Sequence, residues 1–503
     1  MSKFYCTFAA EMQAEDYESH STTHYTKFEH TKTMELSKIT TFYFLGIGGI
    51  GMSALARFFA AKGYRVLGYD RTKSPLTQEL EHEGIVVQYD DDCQYVSQLE
   101  AETTLVVRTP AVPWNTPIYA FIREKGFCIM KRAEVLGLVT SLHRSLCVAG
   151  THGKTTTSTM LAHIMHASQN GCSAFLGGIS NNYHTNLLID TESQWVVAEA
   201  DEYDRSFHAL TPYISVVTSM DPDHLDIYGT EEQYYESFAH YASLVTDSLL
   251  VKKGLNINLL AAQAKANIYT YGVETEAHFS AQNVRFEQGI ILFDFHIHCG
   301  QTNNILKDMR MCVPVWVNVE NSVAALAVAY LVGLSEEELR HGISTYTGVY
   351  RRFNIHMNTP LLSYIDDYAH HPSELKASIE SVRKLYPQRK IICVFQPHLF
   401  SRTRDFADEF AEALAMCDDV LLLPIYPARE EPIPGVTSEW LVGKIEKLGK
   451  PGEMVKKQLL TTTLNQLVQT HIANQQECVV LTLGAGDIDR LVEEIKLNLN
   501  AYE

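Results

Sequence analysis

The chain has 503 residues, enough for about three domains at the usual size of roughly 150 residues each. Its formal net charge of -19 argues against general nucleic-acid binding, which relies on Lys and Arg to neutralise phosphates. No apolar run approaches the ~20 residues of a membrane span, and no secretion signal opens the chain, so we expect a cytoplasmic protein without membrane insertion. The ten cysteines show no CxxC pair and no zinc spacing, which predicts reduced, buried thiols.

The predicted elements begin after a polar stretch. Residues 1–38 show no sustained hydrophobic period, and we expect a poorly ordered extension there. From Thr41 onward, short apolar runs alternate with helical patterns, which predicts parallel strands covered by helices and therefore an α/β fold. Domain boundaries are expected near Ser141–Ser145 and Tyr346–Asn354. The predicted strands are Thr41–Leu45, Arg65–Gly68, Leu105–Val107, Leu146–Val148, Trp195–Ala198, Ile214–Thr218, Ile391–Phe395, Val420–Leu423 and Cys478–Leu483.

A first glycine loop, Gly46–Gly51, reads G-x-G-x-x-G between a predicted strand and a predicted helix. Glycines let the backbone approach a diphosphate, which rests on the helix N-terminus, and Asp70 ends the next strand where an acid would meet a ribose hydroxyl. The pattern is typical of a nicotinamide dinucleotide site, and hence of a dehydrogenase. It is also compatible with a turn needed only for packing, and it leaves the identity of the diphosphate open.

A second glycine loop follows the strand Leu146–Val148 and reads Gly-Thr-His-Gly-Lys-Thr from Gly150 onward. In such a loop backbone N–H groups hold phosphates, the ammonium of Lys154 reaches the β and γ oxygens, and the Thr155 hydroxyl meets Mg²⁺. Val148 stands where the full P-loop pattern has glycine, so this is a shorter variant. Hydride transfer has no use for a γ-phosphate clamp. The two loops together therefore predict a nucleotide-linked substrate that ATP activates.

Acidic side chains follow two further predicted strands. Glu199 ends the strand Trp195–Ala198, and the run Asp221–Asp226, which includes His224, follows the strand Ile214–Thr218. The carboxyl ends of neighbouring parallel strands form sites in α/β folds, and an acid beside a phosphate loop is where Mg²⁺ is held. A solvated loop is the alternative interpretation of each run.

These motifs together resemble the Mur ligases, and the resemblance runs from about Thr41 to Ile488. The stretches that carry it are Gly46–Ser53, Gly150–Thr156, Glu199–Glu202, Asp221–His224, Asn318 with Asn321, Arg351–Phe353, Asp366–Pro372 and Phe395–Asp405. Three positions depart from the family pattern. Ser219 occupies a position where the family has an Asn, Val317 one where it has a His, and Leu399 one where it has an Arg. Because the last departure removes a cation, we expect Arg402 and Arg404 to supply more of the positive charge there.

The resemblance implies three domains: a Rossmann-like UDP-binding domain (39–143), a P-loop ATPase-type central domain (144–348) and a Rossmann-like domain that brings the amino acid and closes the cleft (349–503). It implies ATP-dependent ligation of L-alanine to the lactyl carboxylate of UDP-N-acetylmuramate through an acyl phosphate, in peptidoglycan precursor synthesis. ATP and Mg²⁺ are the implied cofactors. A monomer or weak homodimer is expected.

The resemblance also implies roles for individual residues. The UDP-linked substrate would be bound by Gly48, Gly49, Gly51, Met52, Ser53 and Asp70. ATP would be bound by Gly150, Thr151, His152, Gly153, Lys154, Thr155, Thr156, Asn318, Asn321 and Arg352. Mg²⁺ would be bound by Thr155, Glu199 and His224. The reaction itself would use Lys154, His370, His371, His398, Arg402 and Arg404.

Three alternatives remain open from the sequence. A sibling ligase would attach a recycled peptide to UDP-N-acetylmuramate instead of L-alanine, and the loop Gly46–Met52 favours the alanine enzyme. An NAD-linked dehydrogenase is disfavoured by the second loop. A P-loop NTPase module would have no need for the first loop or the third domain. His370, His371 and His398 also have an alternative interpretation. Each can be a hydrogen-bonded structural residue instead of the group that deprotonates the amine.

Overall fold

The computed structural model describes residues 38–109, 112–223, 225–287, 289–428 and 430–502, and not the side chains of residues 225 and 226. The extension predicted for residues 1–38 lies outside them except for Lys38. The chain divides into two compact units between Leu142 and His143. None of the described helices is both long and apolar enough to cross a bilayer.

The first unit is a five-stranded, wholly parallel sheet with the strand order β3-β2-β1-β4-β5. The central strand β1 is buried over its whole length, as expected for a parallel strand covered on both faces. The order reverses between β1 and β4, which is where Rossmann-type sheets bind ligands. The strands are β1 Thr41–Leu45, β2 Arg65–Tyr69, β3 Val86–Gln88, β4 Thr104–Arg108 and β5 Cys128–Lys131; the helices are α1 Ile50–Ala61, α2 Pro75–His82, α3 Pro117–Glu124 and α4 Arg132–Leu142.

The second unit contains two sheets. The first has ten strands in the order β15-β14-β13-β12-β11-β10-β6-β9-β7-β8, parallel from β7 to β13 and antiparallel at both ends. Its strands are β6 Arg144–Ala149, β7 Ser173–Phe175, β8 Leu187–Leu188, β9 Trp195–Ala200, β10 Ile214–Val217, β11 Ser248–Lys252, β12 Asn267–Val273, β13 Phe279–Glu287, β14 Ile290–Cys299 and β15 Thr302–Met311. Its helices are α5 Lys154–His166, α6 Leu225–Tyr228, α7 Glu231–Leu244, α8 Ile257–Ala261, α9 Trp316–Val332 and α10 Glu336–Thr345.

The other sheet of this unit has six strands in the order β16-β17-β21-β18-β19-β20, with only β16 antiparallel to its neighbour. Its strands are β16 Asn354–Asn358, β17 Leu362–Asp367, β18 Lys390–Phe395, β19 Asp419–Leu422, β20 Gly452–Met454 and β21 Cys478–Leu483. Its helices are α11 Pro372–Leu385, α12 Phe400–Asp405, α13 Ala407–Leu414, α14 Ser438–Lys447, α15 Lys457–Ala473 and α16 Val492–Leu499. The predicted α/β class with three domains is confirmed.

Helix α9 positions part of the site. It is apolar over most of its length, and eleven of its residues, from Asn318 to Ala329, are buried against α5 and the ten-stranded sheet. A helix that is hydrophobic all round belongs in a core. Because α9 packs on α5, which begins at the second glycine loop, the polar residues in its first turns lie beside that loop.

Candidate active site

The first glycine loop, Gly46–Gly51, connects β1 to α1 and is held by the aspartate that follows β2. The N–H of Gly48 donates to Asp70 Oδ2 at 2.8 Å, and the N–H of Thr72 donates to Asp70 Oδ1 at 2.9 Å. A Cβ on Gly48 would lie 2.8 Å from the same Oδ2, so this close approach requires glycine. Asp70 therefore shapes the loop, and its contact with a ribose stays a prediction.

Two residues predicted to contact the substrate lie inside helix α1. Met52 is 2% exposed and Ser53 is fully buried. The Ser53 hydroxyl donates to the Ile50 carbonyl at 2.9 Å, and the N–H groups of both residues donate to the Gly49 carbonyl. Neither side chain is therefore accessible to a ligand in this structure.

The structure places a cation beside this loop that no sequence motif indicated. Arg132 begins α4, and a Cβ on Gly51 would lie 3.1 Å from Arg132 Cδ and 3.2 Å from its Nη1. Gly51 therefore lets the guanidinium lie close to the N-terminus of α1. A cation at a helix N-terminus reinforces the attraction of that end for an anion.

The second glycine loop packs so tightly that two of its glycines are needed. Gly150 and Gly153 both have positive φ angles, 133° and 84°. A Cβ on Gly150 would lie 2.2 Å from Thr218 Oγ1, and one on Gly153 would lie 3.0 Å from Asn321 Oδ1. The loop is therefore fitted against the end of β10 on one side and α9 on the other.

Lys154 is the first residue of α5 and is surrounded by acceptors. Its ammonium donates to the Gly150 carbonyl at 2.7 Å, and lies 2.7 Å from Glu202 Oε2. Burial works against its charge, but the carboxylates of Glu202 and Glu199 outweigh burial and raise the pKa of Lys154 above its ordinary value. The lysine is therefore a fixed cation at the mouth of the loop.

Glu202, the partner of Lys154, has a side chain that is only 2% exposed. Burial raises its pKa and the adjacent Lys154 lowers it, with a net rise above the ordinary value. Its backbone carbonyl accepts a hydrogen bond from the hydroxyl of Tyr228 in α6. Glu202 lies in the stretch Glu199–Glu202 that carries part of the family resemblance, but no role was predicted for it. A buried ion pair with Lys154 of the second glycine loop leaves no sequence signal.

Glu199 and Thr155 form the part of the site that suits a divalent cation. Glu199 lies in β9, and its Oε2 is buried without a hydrogen-bond partner among the described residues. Burial raises the pKa of Glu199, while Lys154 and the Thr155 hydroxyl lower it, with a net rise. A Cβ on Gly177 would lie 2.2 Å from Glu199 Oε2, so the chain leaves room for this oxygen. An unpaired carboxylate oxygen next to a threonine hydroxyl is a donor set that Mg²⁺ accepts.

The remaining predicted ligand, His224, lies outside the described residues. Within the part of the chain that the structure describes, no three His, Cys, Asp or Glu side chains come together as a metal cluster. The Glu199 carboxylate beside the Thr155 hydroxyl fits Mg²⁺, because Mg²⁺ usually takes one or two carboxylates and completes its shell with water and substrate phosphates.

Asn318 and Asn321 line a cavity of about 280 Å³ that extends from the second loop along the start of α9. Both are buried, and Asn321 Nδ2 donates to Asn318 Oδ1 at 3.1 Å. An ion pair between Lys252 and Glu320, 2.8 Å apart, lies in the wall. Val317, which stands where the family pattern has a His, also lines the cavity and is 43% exposed.

Helix α11 brings two of the predicted histidines to the second loop. Glu374 Oε2 accepts from the N–H of His370 at 3.0 Å and of His371 at 3.2 Å, which caps the helix. Glu374 Oε1 lies 3.1 Å from His152 Nδ1. Burial lowers the pKa of His370 and of His371 below the ordinary value, which favours neutral imidazoles.

Arg352 lines the same cavity as Asn318 and Asn321, and its guanidinium carbon lies over the Tyr368 ring, 4.8 Å from the ring centre. Asp367, at the end of β17, is close to it. Burial raises the pKa of Asp367 to about 6, although Arg352 opposes the rise. The neighbouring Arg351 has a structural role, because it is buried and donates to Asp366 Oδ2 at 3.2 Å and to the Gly484 carbonyl at 2.7 Å.

The two predicted arginines of the third domain have different surroundings. The Arg402 side chain is 11% exposed, and its Nη2 lies 3.9 Å from Oδ2 of Asp223 in the central domain. The Arg404 side chain is 52% exposed and donates to Asp405 Oδ1 at 2.7 Å. Arg402 therefore faces the site, while the catalytic role of Arg404 stays a prediction that this geometry does not favour.

A second cavity of about 200 Å³ joins these parts. It is lined by the second loop from Thr151 to Thr156, by four acidic residues of the central domain, and by residues of the third domain. The acidic residues are Glu199, Asp201, Glu202 and Asp223, and the third domain contributes Arg352, His370, His371 and Glu374. His398 is nearby, with its ring 6.1 Å from the ring of His370.

Comparison with known proteins gives three family models, each matching most of one sheet and of its helices. They are the Mur ligase family catalytic domain over residues 41–144, the Mur ligase middle domain over 148–329, and the Mur ligase glutamate ligase domain over 351–486. The chain belongs to the Mur ligase family.

Similar Mur ligases match over nearly the whole chain. A UDP-N-acetylmuramate–L-alanine ligase of Parabacteroides distasonis is 50% identical over 467 residues, covering 92% of this chain and 98% of that protein. One of Cytophaga hutchinsonii is 45% identical over 470 residues, with 92% and 98% covered. The crystal structure of a UDP-N-acetylmuramate–alanine ligase from Thermotoga maritima superposes with a TM-score of 0.71 at 25% identity, covering 92% of this chain and 100% of that one.

In this Mur ligase the structure brings most of the predicted ATP and reaction residues together, and it adds others. Lys154, Thr155, Glu199, His370 and His371 line one cavity. The additions are Arg132, Glu202, Asp223, Asp367 and Glu374. Glu374 had a usable signal, since a Glu at the third position of a helix that opens with Pro is typical of a capping box. Asp367 belongs to the motif Asp366–Pro372, but its burial beside Arg352 could not be read from that motif.

Proposed function

We propose that this Mur ligase joins L-alanine to the lactyl carboxylate of UDP-N-acetylmuramate, with ATP as the energy source, in cytoplasmic peptidoglycan precursor synthesis. The high identity to L-alanine ligases over almost the full length supports this choice. The observation that carries the chemistry is the cavity in which Lys154 and Glu199 of the central domain lie opposite His370 and Arg352 of the third.

The residues act by positioning and by neutralising charge, which is most of what phosphoryl transfer needs. The second loop cradles the phosphates of ATP, and Lys154 neutralises the γ-phosphate that the substrate carboxylate attacks. Thr155 and Glu199 would hold Mg²⁺, which when bound neutralises the charge of the β and γ oxygens. ADP leaves as the acyl phosphate forms. The amine of L-alanine then attacks the carbonyl of the acyl phosphate, and inorganic phosphate leaves.

Residues of the third domain serve the second half of the reaction. The amine must be deprotonated before it attacks, and His370, His371 and His398 are the groups proposed to orient it or accept its proton. His370 and His371 suit this role because burial lowers their pKa, so that they are available as neutral bases near pH 7. Arg402 is proposed to neutralise the transferring phosphoryl group.

The N-terminal unit is proposed to bind the UDP end of the substrate. The loop Gly46–Gly51 lies at the point where the strand order of its sheet reverses, and Arg132 adds a cation there. We place the domains at residues 39–143, 144–348 and 349–503, so that each contains one of the three sheets. We also propose a monomer or weak homodimer.

The test of the reaction is ADP release with UDP-N-acetylmuramate, with and without L-alanine. We expect ADP to form in step with the amide product only when all three substrates are present. A recycled murein peptide serves as the competing acceptor. Turnover with that peptide and none with L-alanine would identify the sibling activity, and ADP release at an equal rate without any amine would reject ligation.

Replacing Glu199 with Gln is expected to shift the Mg²⁺ titration of activity to higher concentration by about 10-fold or more. The variant removes the charge of a buried oxygen that no protein group satisfies among the described residues, and a hard cation depends on such charge. Glu192→Gln, an exposed residue in the turn before β9, is the matched control. An unchanged Mg²⁺ titration for Glu199→Gln would remove this residue from the metal site.

Replacing Arg132 with Ala is expected to raise the KM for UDP-N-acetylmuramate by about 10-fold while leaving the KM for ATP unchanged. A charge-assisted contact with a diphosphate contributes roughly 1.5–3 kcal/mol. Titration calorimetry of the full chain with UDP measures the effect directly. Arg123→Ala, at the end of α3, is the control. Equal affinity of the two variants for UDP would show that Arg132 only packs against Gly51.

A further inference from the structure

One carboxylate joins the second glycine loop to the third domain. Glu374 belongs to α11, and its Oε1 lies 3.1 Å from Nδ1 of His152 in the loop. About one fifth of each side chain is exposed, 19% for Glu374 and 21% for His152. The contact therefore crosses between the central and third domains inside the reaction cavity.

Glu374 is held rigidly at this position. Its other oxygen, Oε2, accepts the N–H groups of His370 and His371, at 3.0 and 3.2 Å. These bonds form the capping box at the start of α11. Because one short side chain bonds both groups, the backbone of the two histidines and the ring of His152 have a fixed separation.

His152 is also fixed from inside the central domain. Its N–H donates to Ser219 Oγ at 2.7 Å, and its carbonyl accepts from Thr218 Oγ1 at 2.5 Å. The backbone of His152 is therefore anchored to Thr218 and Ser219, next to Gly153 and Lys154. Ser219 stands where the family pattern has an Asn, so the serine hydroxyl holds the loop here.

His152 and Glu374 each shift the pKa of the other in the direction that favours an ion pair. Burial lowers the pKa of His152, but Glu374 and Asp221 outweigh burial and raise it above its ordinary value. Burial raises the pKa of Glu374, but His370 and His152 outweigh it and hold that pKa well below the usual range. The raised pKa of His152 and the lowered pKa of Glu374 both favour the charged forms of these side chains, and a hydrogen bond between charged groups is stronger than a neutral one.

We propose that Glu374 is a positioning residue that acts through His152 to hold the phosphate loop in register with the histidines of the closed third domain. This inference rests on the proposed ligase function. The pair is made between domains, so it contributes once they have closed and adds little to the first binding of ATP by the central domain.

A double-mutant cycle on the full chain tests the proposal, with Glu374→Gln, His152→Asn and both together. We expect each single variant to lower kcat by about 10- to 100-fold, because small misplacement of reacting groups costs rates of that order. The ATP dissociation constant of Glu374→Gln, measured by calorimetry, should change less than about 3-fold. The double variant should be no slower than the slower single variant, since the two residues act as one unit.

Glu338→Gln is the matched control, because Glu338 occupies the same capping-box position in α10 of the central domain. It should lower the thermal midpoint as Glu374→Gln does while leaving kcat unchanged. Single effects that multiply in the double variant would overturn the proposal. So would a loss of ATP affinity with kcat preserved, or equal kcat values for the two Gln variants. A wild-type chain that makes no alanine product would instead reject the ligase function.

Discussion

Replacing Lys154 with Ala is expected to lower kcat for ligation by roughly 10²–10³-fold, the usual effect of deleting one donor that stabilises a transition-state oxygen. Lys154 is the fixed cation at the mouth of the phosphate loop. Without it the negative charge on the γ-phosphate is less well neutralised when the carboxylate attacks. Steady-state ADP release at saturating substrates measures the effect, and near-normal turnover would show that the loop is only structural.

The same replacement has a cost to folding that sequence alone does not show. From the motif, Lys154→Ala is predicted to leave folding nearly unchanged. In the structure, however, the lysine neutralises the buried carboxylate of Glu202, and breaking such a pair costs about 3–5 kcal/mol when the partner stays charged. Lys154→Ala combined with Glu202→Gln should recover most of the thermal midpoint and none of the activity, which separates the two roles.

Replacing Arg402 with Ala is expected to lower kcat by roughly 10²-fold while ATP affinity stays within about 3-fold, the loss typical of removing one transition-state contact. Arg402 lies in the third domain and faces Asp223 of the central domain, so its contact is made across the domain junction. An interaction that forms only in the closed enzyme stabilises the transition state more than the initial complex. Calorimetry of ATP binding and saturation kinetics, measured on the same variant, give the two quantities.

Lys444→Ala is the control for this variant, because Lys444 makes an ion pair with Asp408 in the same domain. It should retain the wild-type kcat. Arg404→Ala then decides between the two arginines, and its exposed position predicts a smaller loss than that of Arg402→Ala. If ATP affinity collapses in Arg402→Ala while kcat survives, Arg402 is a ground-state contact of ATP and the closure argument fails for it.

Most of the strands that support the site could be predicted because they are short, continuous apolar runs, but β17, which ends at Asp367, was not predicted. The prediction of Thr41–Leu45 matches β1 residue for residue, and Cys478–Leu483 matches β21. Strands β13 to β15 were not predicted. Burial in β14 alternates along the strand, since an antiparallel strand with one solvated face alternates polar and apolar residues instead of forming a continuous run. The apolar runs that indicate buried parallel strands are therefore missing from this part of the chain.

Within the site, the two glycine loops could be predicted from the sequence, but the side chains that pair with loop residues could not. Gly150, Gly153 and Lys154 lie within five residues of one another and form a recognisable pattern. The glycines allow the backbone to turn tightly around a phosphate, and the lysine supplies a positive charge. The pairing of Lys154 with Glu202, and of His152 with Glu374, depends on which side chains the fold brings together over long separations. No spacing in the sequence encodes such contacts.

Activation of the substrate through an acyl phosphate is tested most directly with UDP-N-acetylmuramate that carries ¹⁸O in both carboxylate oxygens. If the carboxylate attacks the γ-phosphate of ATP and the amine of L-alanine then displaces phosphate, one labelled oxygen must move to the phosphate. Mass spectrometry should find one ¹⁸O in the inorganic phosphate, one in the new amide carbonyl and none in ADP. Phosphate without label, formed at the rate of the amide product, would contradict activation through an acyl phosphate.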